Sequence, residues 1–130
     1  MTQPANMQTV LIIEDDPDTL LAWTLVVRSF GFAVLEAGDR GEAWRACRQH
    51  QGPVHLLLMR AILDNDTSEF VARLRLLYPQ IRALFVSDAS PAELTGQQPM
   101  PCECAFLQKP VRAEALADTM RHVIVQGGKA

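Results

Sequence analysis

The chain is most constrained by an apolar run that leads directly into a cluster of acids: residues 10–13 read VLII, and residues 14–17 read EDDP. A continuous apolar, mostly β-branched run is typical of a strand that is covered on both faces, as in parallel sheets. Asp16 suits the N-cap of a helix and Pro17 suits its first position, so a helix should follow at once. The acids should therefore lie at the carboxyl edge of a sheet, where open α/β folds place their sites.

Strand and helix patterns continue to alternate along the rest of the chain. We predict further strands at 32–37, 54–59, 81–86 and 105–107, and helices from Pro17 to a C-cap at Gly31 and at 42–49, 68–77 and 112–125. This alternation predicts a parallel sheet with right-handed crossovers. In the third helix, Phe70, Leu74 and Leu77 should face the core.

The segment 90–103 occupies the place of one more helix but contains three prolines and a glycine. Interior proline costs a helix about 3 kcal/mol, so at most one or two turns are expected there. We expect irregular chain over 96–101.

Length and composition indicate one globular domain. The chain has 130 residues, of which 48% are hydrophobic and 21% are charged. A net charge of −3 without a basic cluster argues against nucleic acid as a direct partner. No apolar run approaches the ~20 residues of a membrane span, and residues 1–9 lack the pattern of a signal peptide, so a cytoplasmic location is expected. We expect an extension at 1–9, the domain at 10–125 and a tail at 126–130.

Three cysteines, an odd number without a secretion signal, are expected to be reduced thiols. Cys102 and Cys104 could form a metal clip, but two thiols without a second ligand pair favour a structural or incidental role.

Parallel topology brings the ends of four strands to one edge of the sheet. Glu14 and Asp15 follow the first strand, Arg60 ends the third, Ser87 closes the fourth and Lys109 follows the fifth. Such a set is hard to assign to chance. A guanidinium can bind carboxylates through its planar fork, so the Arg60 side chain should lie within hydrogen-bonding distance of one of the two acids.

These residues, in their order and spacing, resemble the receiver domain of bacterial two-component response regulators over about 10–125. The matching pieces are IEDDP at 13–17, Ser87, and FLQKP at 106–110. The resemblance implies a flavodoxin-like (βα)5 fold with strand order 2-1-3-4-5. It also implies that the acid pair is the place for Mg²⁺ and that an aspartate ending the third strand accepts a phosphoryl group.

The resemblance further implies roles for the residues at the last two strands. Ser87 and Lys109 would contact phosphate oxygens, and an aromatic residue at the position of Phe106 would swing inward on activation. The Lys109–Pro110 peptide bond is expected to be cis, which only an X-Pro bond adopts at a cost as low as about 0.5–1 kcal/mol.

The chain departs from the family pattern at the centre of the site, because Arg60 stands where the third-strand aspartate is expected. Arginine has no nucleophilic oxygen and stays protonated at any working pH. Its charge, with that of Lys109, formally balances Glu14 and Asp15. We therefore expect a pseudo-receiver that binds no Mg²⁺, has no enzymatic activity, and acts by contact with a protein partner such as a histidine kinase or an output domain.

Two other functions remain open. A displaced Asp64 or Asp66 could accept the phosphoryl group, although this would place Arg60 inside an apolar strand at a cost of several kcal/mol. Alternatively, Arg60 and Lys109 could hold an anion or other small ligand, which makes the chain a sensing domain. Glu14 and Asp15 already neutralise those cations, so this hypothesis ranks last.

Overall fold

Five strands and four helices lie in the residues that the computed structural model describes, which are 8–60, 65–87, 104–109 and 111–127. In chain order they are β1 (Thr9–Ile13), α1 (Pro17–Ser29), β2 (Ala33–Ala37), α2 (Arg40–Gln49), β3 (Leu56–Arg60), α3 (Asn65–Leu77), β4 (Arg82–Ser87), β5 (Cys104–Gln108) and α4 (Ala113–Gly127). The strands form one parallel sheet in the order β2-β1-β3-β4-β5. The predicted flavodoxin-like topology is confirmed.

Both faces of the sheet are covered, which explains why residues 10–13 of β1 and 56–59 of β3 are all apolar. Leu11 and Ile13 of β1 pack into a buried cluster with residues of α2 and α3. Val10 and Ile12 point to the other face and pack with residues of α1 and α4. The helices therefore form one layer on each side of the sheet, and the ends of the strands adjoin the loops.

The two helices that border the site begin at aspartate caps. Asp16 precedes Pro17 and accepts a hydrogen bond from the Thr19 backbone N–H at 3.1 Å, as the sequence predicted. Asp39 caps α2 by accepting from the Glu42 N–H at 2.8 Å. These caps fix where the chain turns from strand into helix at the carboxyl edge.

Gly31 follows α1 with a positive φ of 92°, a backbone conformation that glycine adopts without steric cost. The C-cap itself is Phe30, one residue before the expected position, and the left-handed conformation expected at Gly31 is confirmed.

Several predicted boundaries differ from the structure. α3 begins at Asn65, three residues before the expected start, and α4 continues to Gly127, into the expected tail. β1 begins at Thr9 rather than at the following residue. Such shifts are ordinary, because helix and strand ends depend on local hydrogen bonds more than on apolar periodicity.

One predicted core residue is wrong. Phe70 and Leu74 are buried, but Leu77 is 58% exposed. Leu77 is the last residue of α3, and the following Tyr78 packs against the core cluster. The apolar periodicity of α3 extends about one helical turn beyond Leu74, the last of these three residues that is buried.

Some expectations concern residues outside those described. The irregular segment over 96–101, the cis Lys109–Pro110 bond, Asp64 and Cys102 all belong to this group. Within the described residues, none of the helices combines the length and the apolar character that crossing a membrane requires.

Candidate functional site

The carboxyl edge of the sheet brings the acid pair and Arg60 together. Glu14 and Asp15 directly follow β1, and Arg60 is the last residue of the neighbouring strand β3. The Glu14 backbone N–H donates to the Ala37 carbonyl oxygen at 3.0 Å, which extends the contact with β2 past the end of β1. Adjacent parallel strands that end at the same level place their next side chains side by side.

A single nitrogen of Arg60 binds both acids. Its Nη2 donates to Glu14 Oε1 at 2.9 Å and to Asp15 Oδ1 at 2.9 Å. The contact expected from the sequence is confirmed, in a bridging rather than a fork-to-fork form. The Glu14 carboxylate, through its charge and then its hydrogen bond, raises the pKa of the Arg60 guanidinium above its usual value. The arginine is therefore a permanent cation between two carboxylates.

The two acids differ sharply in exposure. The Glu14 side chain is 1% exposed and the Asp15 side chain is 74% exposed, while that of Arg60 lies between them at 45%. Glu14 Oε1 also accepts from the Asp16 backbone N–H at 3.1 Å. Its Oε2 is buried and has no hydrogen-bond partner among the described residues. An unpaired buried acceptor is costly, so this oxygen marks a place where a further donor would be stabilising.

A cavity of about 460 Å³ opens beside this cluster, between the ends of β1 and β3 and the turn from β2 into α2. Its lining residues are Ile13, Glu14, Asp15, Gly38, Asp39, Arg40, Gly41, Met59 and Arg60. The sequence reasoning missed the wall at 38–41. The available signal was the Gly-Asp pair before a helix, which marks a turn at the same sheet edge as the acids.

Ser87 and Lys109 lie at the ends of β4 and β5 and do not line this cavity. The Lys109 backbone N–H donates to the Ser87 carbonyl oxygen at 2.7 Å, which joins the two strand ends. Among the described residues, no ion pair connects Lys109 with Glu14 or Asp15. Their phosphate-contact roles remain predictions.

Phe106 of β5 stacks on Phe85 of β4, with ring centroids 5.6 Å apart and an interplanar angle of 28°. It is half-buried and packs against the core cluster on the α2 and α3 side. A switching role for this ring remains a prediction.

A second groove lies between α2 and α3. Arg40 Nη2 donates to Thr67 Oγ1 at 2.6 Å, and its guanidinium lies 5.7 Å from the centroid of the Phe70 ring. Trp44 packs edge-on against the same ring at 5.3 Å. Asp66, in the first turn of α3, lines this groove and not the cavity at Arg60.

No family model matches the sequence. The chain is 25% identical over 124 residues to the sensor kinase CckA of Brucella abortus (strain 2308), an alignment that covers 95% of this chain and 13% of that protein. It therefore spans about an eighth of the length of this relative.

Solved structures with the same fold include receiver domains and response regulators. A response regulator from Thermotoga maritima superposes with a TM-score of 0.77 at 19% identity, covering 92% of this chain and 98% of its own. A CheY-like receiver domain protein from Methanospirillum hungatei JF-1 gives 0.76 at 19% identity, with coverage of 95% and 98%. The receiver domain of the hybrid histidine kinase CckA gives 0.66 at 23% identity, with coverage of 89% and 98%. The chain has the fold of a response-regulator receiver domain.

Proposed function

We propose that this chain is a receiver-like module of two-component signalling in which Arg60 replaces the phosphoacceptor. In this proposal the module acts through contact with a protein and not through phosphorylation. The receiver fold and the likeness to part of a sensor kinase support the signalling role. The arginine that bridges Glu14 and Asp15 is the observation that carries the rest.

The position of Arg60 in β3 supports the alignment with the phosphoacceptor. Arg60 is in register with Val86 of β4, and Met59 is in register with Ile13 of β1. Its side chain emerges half-exposed at the strand end, so the strand contains no buried guanidinium. The group at this place carries no oxygen that could attack phosphorus.

The donor set does not fit Mg²⁺. This ion prefers oxygen ligands, and a receiver domain would supply a third carboxylate where Arg60 stands. Here a guanidinium already holds one oxygen of each acid, and its positive charge opposes a divalent cation. Within the described residues, no three His, Cys, Asp or Glu side chains are grouped to hold a metal ion. We propose that Arg60 supplies the positive charge that a metal supplies elsewhere.

The proposed partner is inferred from the similarity to CckA and not from a docking surface on this chain. CckA of Brucella abortus is a sensor kinase, so we propose a histidine kinase or an output domain as the protein that reads this module. The module would be non-enzymatic, because the group that would take part in phosphotransfer is absent.

A displaced phosphoacceptor finds little support in the described residues. Asp66 lies in a helix and lines the groove between α2 and α3, apart from the acid pair. Binding of an anion by Arg60 with Lys109 is also disfavoured, since two carboxylates already occupy the Arg60 Nη2.

Incubation with acetyl phosphate and Mg²⁺, followed by intact-mass measurement, tests the proposal. The parent protein should gain no acid-labile phosphate. Uptake of one phosphoryl group that is lost in Asp64→Asn or in Asp66→Asn would overturn it in favour of a displaced acceptor.

A further inference from the structure

We propose that this domain associates with a second copy of itself through α1, with the two helices packed antiparallel about a twofold axis. This association goes beyond the signalling role proposed above and is tested separately from it. Three observations carry it: two adjacent exposed leucines, two opposite charges placed symmetrically around them, and the position of this surface at the open edge of the fold.

Two leucines of α1 lie outside the core. Thr24 and Val27 are the buried residues of this helix, whereas Leu21 and Leu25 are 55% and 59% exposed. The two leucines are about one helical turn apart, so their side chains adjoin on one side of the helix. Single exposed leucines scattered over a surface need no explanation, but adjacent ones form a patch that marks a contact surface.

Opposite charges stand at the two ends of this patch. Asp18 precedes Leu21 by three residues, and Arg28 follows Leu25 by three residues. These four residues, called the α1 ridge below, have the alternating three- and four-residue spacing of the seam along which two helices pack. The spacing is the same from either end, and its midpoint is level with Trp23.

This symmetry makes the α1 ridge complementary to itself. In an antiparallel pair, Leu21 of each copy meets Leu25 of the other, and Asp18 of each copy meets Arg28 of the other, as a twofold axis requires. In a parallel pair, each charge would face its own equivalent and the two copies would repel. Charge complementarity therefore favours a second copy of this chain in the antiparallel orientation.

The charged groups of the α1 ridge are available for such a contact. Among the described residues, no hydrogen bond or ion pair engages the exposed Asp18 carboxylate. Arg28 Nη2 lies 3.6 Å from Glu36 Oε1, which is too long for a hydrogen bond, and both side chains are exposed. Surface pairs of this kind contribute little to stability, so the Arg28 guanidinium can turn to another carboxylate.

The α1 ridge lies on the open flank of the helix. The proximity of Arg28 to Glu36 places it towards β2, which is an edge strand of the sheet. α4 lies on the other flank, where the Arg121 guanidinium is 5.3 Å from the centroid of the Phe30 ring. A second copy can therefore reach the α1 ridge without meeting α4.

Sedimentation equilibrium of the parent protein from about 10 μM to about 1 mM tests for self-association, because a contact of this size belongs to the weak class of interfaces. We expect a monomer–dimer equilibrium in this range. Leu25→Ser should weaken it about tenfold or more, since the twofold axis removes the leucine contact twice. Leu76→Ser, which removes an exposed leucine from α3, is the matched control and should leave association unchanged. All these positions are exposed, so the variants should fold, which circular dichroism verifies.

Two outcomes of this experiment would overturn the proposal. A parent protein that stays monomeric throughout the range would leave the α1 ridge to an unlike partner. Equal weakening by Leu25→Ser and Leu76→Ser would place the contact elsewhere. Acetyl phosphate treatment of the parent protein, described above, reports on the signalling proposal and leaves these results unaffected.

A charge exchange tests the antiparallel pairing. Asp18→Lys and Arg28→Glu should each weaken self-association severalfold, because like charges then meet at both ends of the patch. A mixture of the two variants should associate at least severalfold more tightly than either alone, since both end contacts then join opposite charges. Both variants keep a net negative charge, so overall charge does not predict this attraction. Arg45→Glu, the same change at an exposed position of α2, should associate like the parent protein.

The mixture decides the orientation of the two helices. If it associates no more tightly than the separate variants, the antiparallel pairing and with it the proposal are overturned. Weakening by Arg45→Glu equal to that by Arg28→Glu would show an effect of overall charge only and would also overturn the proposal.

Discussion

Arg60 Nη2 lies 2.9 Å from Oε1 of Glu14, a carboxylate that is almost completely buried. The arginine thereby neutralises a charge that the fold has taken out of water. Removing one partner of such a pair is costly, because the other charge remains buried and unpaired. The first two of the following predictions depend on this contact.

Replacing Arg60 should show how much this contact contributes to the free energy of unfolding. Arg60→Met should lower the free energy of unfolding by about 1–3 kcal/mol, less than for a fully buried pair because Arg60 is half-exposed. Glu14→Gln combined with Arg60→Met should cost less than the sum of the two single changes. Urea unfolding of all four proteins gives the coupling. Additive costs would mean that the contact contributes nothing to stability.

Restoring an acid should create a metal site. Arg60→Asp supplies a third carboxylate and removes the competing cation, so Mg²⁺ should bind more tightly and should recover the stability lost in its absence. Calorimetric titration measures this, with Arg45→Asp as the control for net charge on an exposed helix position. If both variants bind Mg²⁺ equally weakly, the site differs from a receiver site by more than its central residue. Phosphorylation by acetyl phosphate should recover less completely than metal binding, since Ser87 and Lys109 would also have to make the phosphate contacts predicted for them.

The contribution of the Asp16 cap to stability should be independent of the contact between Arg60 and the acid pair. Asp16 accepts hydrogen bonds from the Thr19 N–H and from Thr19 Oγ1, and these bonds lower its pKa. Asp16→Ala should lower the free energy of unfolding measurably, and Asp16→Asn, which keeps a capping acceptor, should lower it much less. Chemical denaturation distinguishes them. A similar cost for both would point to the charge of Asp16 rather than to the cap.

His55 should make stability depend on pH. Its Nδ1 accepts a hydrogen bond from the Thr9 backbone N–H at 3.0 Å, which requires the neutral ring, and burial lowers its pKa below the ordinary value. The unfolded chain therefore takes up the proton first, so stability is complete above about pH 6.5 and falls as the pH drops through and below that value. Thermal unfolding at pH 7.5 and 5.5 should show a smaller decrease in His55→Gln than in the parent. An unchanged decrease would assign the effect to other groups.

Sequence reasoning was most accurate where topology alone decides position. Arg60 and the acid pair could be brought together because parallel strands must end at one edge, and their charges then required contact. The same topology places the turn at 38–41 at this edge, but it does not show that the turn forms the wall of a cavity. The turn from β2 into α2 shows no charge pattern that distinguishes a cavity from an ordinary tight turn.

Leu77 shows where helical periodicity alone fails to predict burial. Its spacing from Phe70 and Leu74 satisfies the helical period, but α3 ends at this residue and Tyr78 packs against the core instead. Periodicity predicts which face of a helix is buried. It does not predict where along the helix the packing against the core ends. The bridging form of the Arg60 contact also depends on side-chain torsions that residue types do not specify.

The stack of Phe106 on Phe85 has a consequence for how such a module would be read. The half-buried ring already packs against the core cluster, so on the proposed function the module needs no inward swing of Phe106 to be recognised. On the proposed function, a partner would then respond to how many copies of the domain are present. The amount of the domain, set by its synthesis and degradation, would then carry the signal in place of an acyl phosphate.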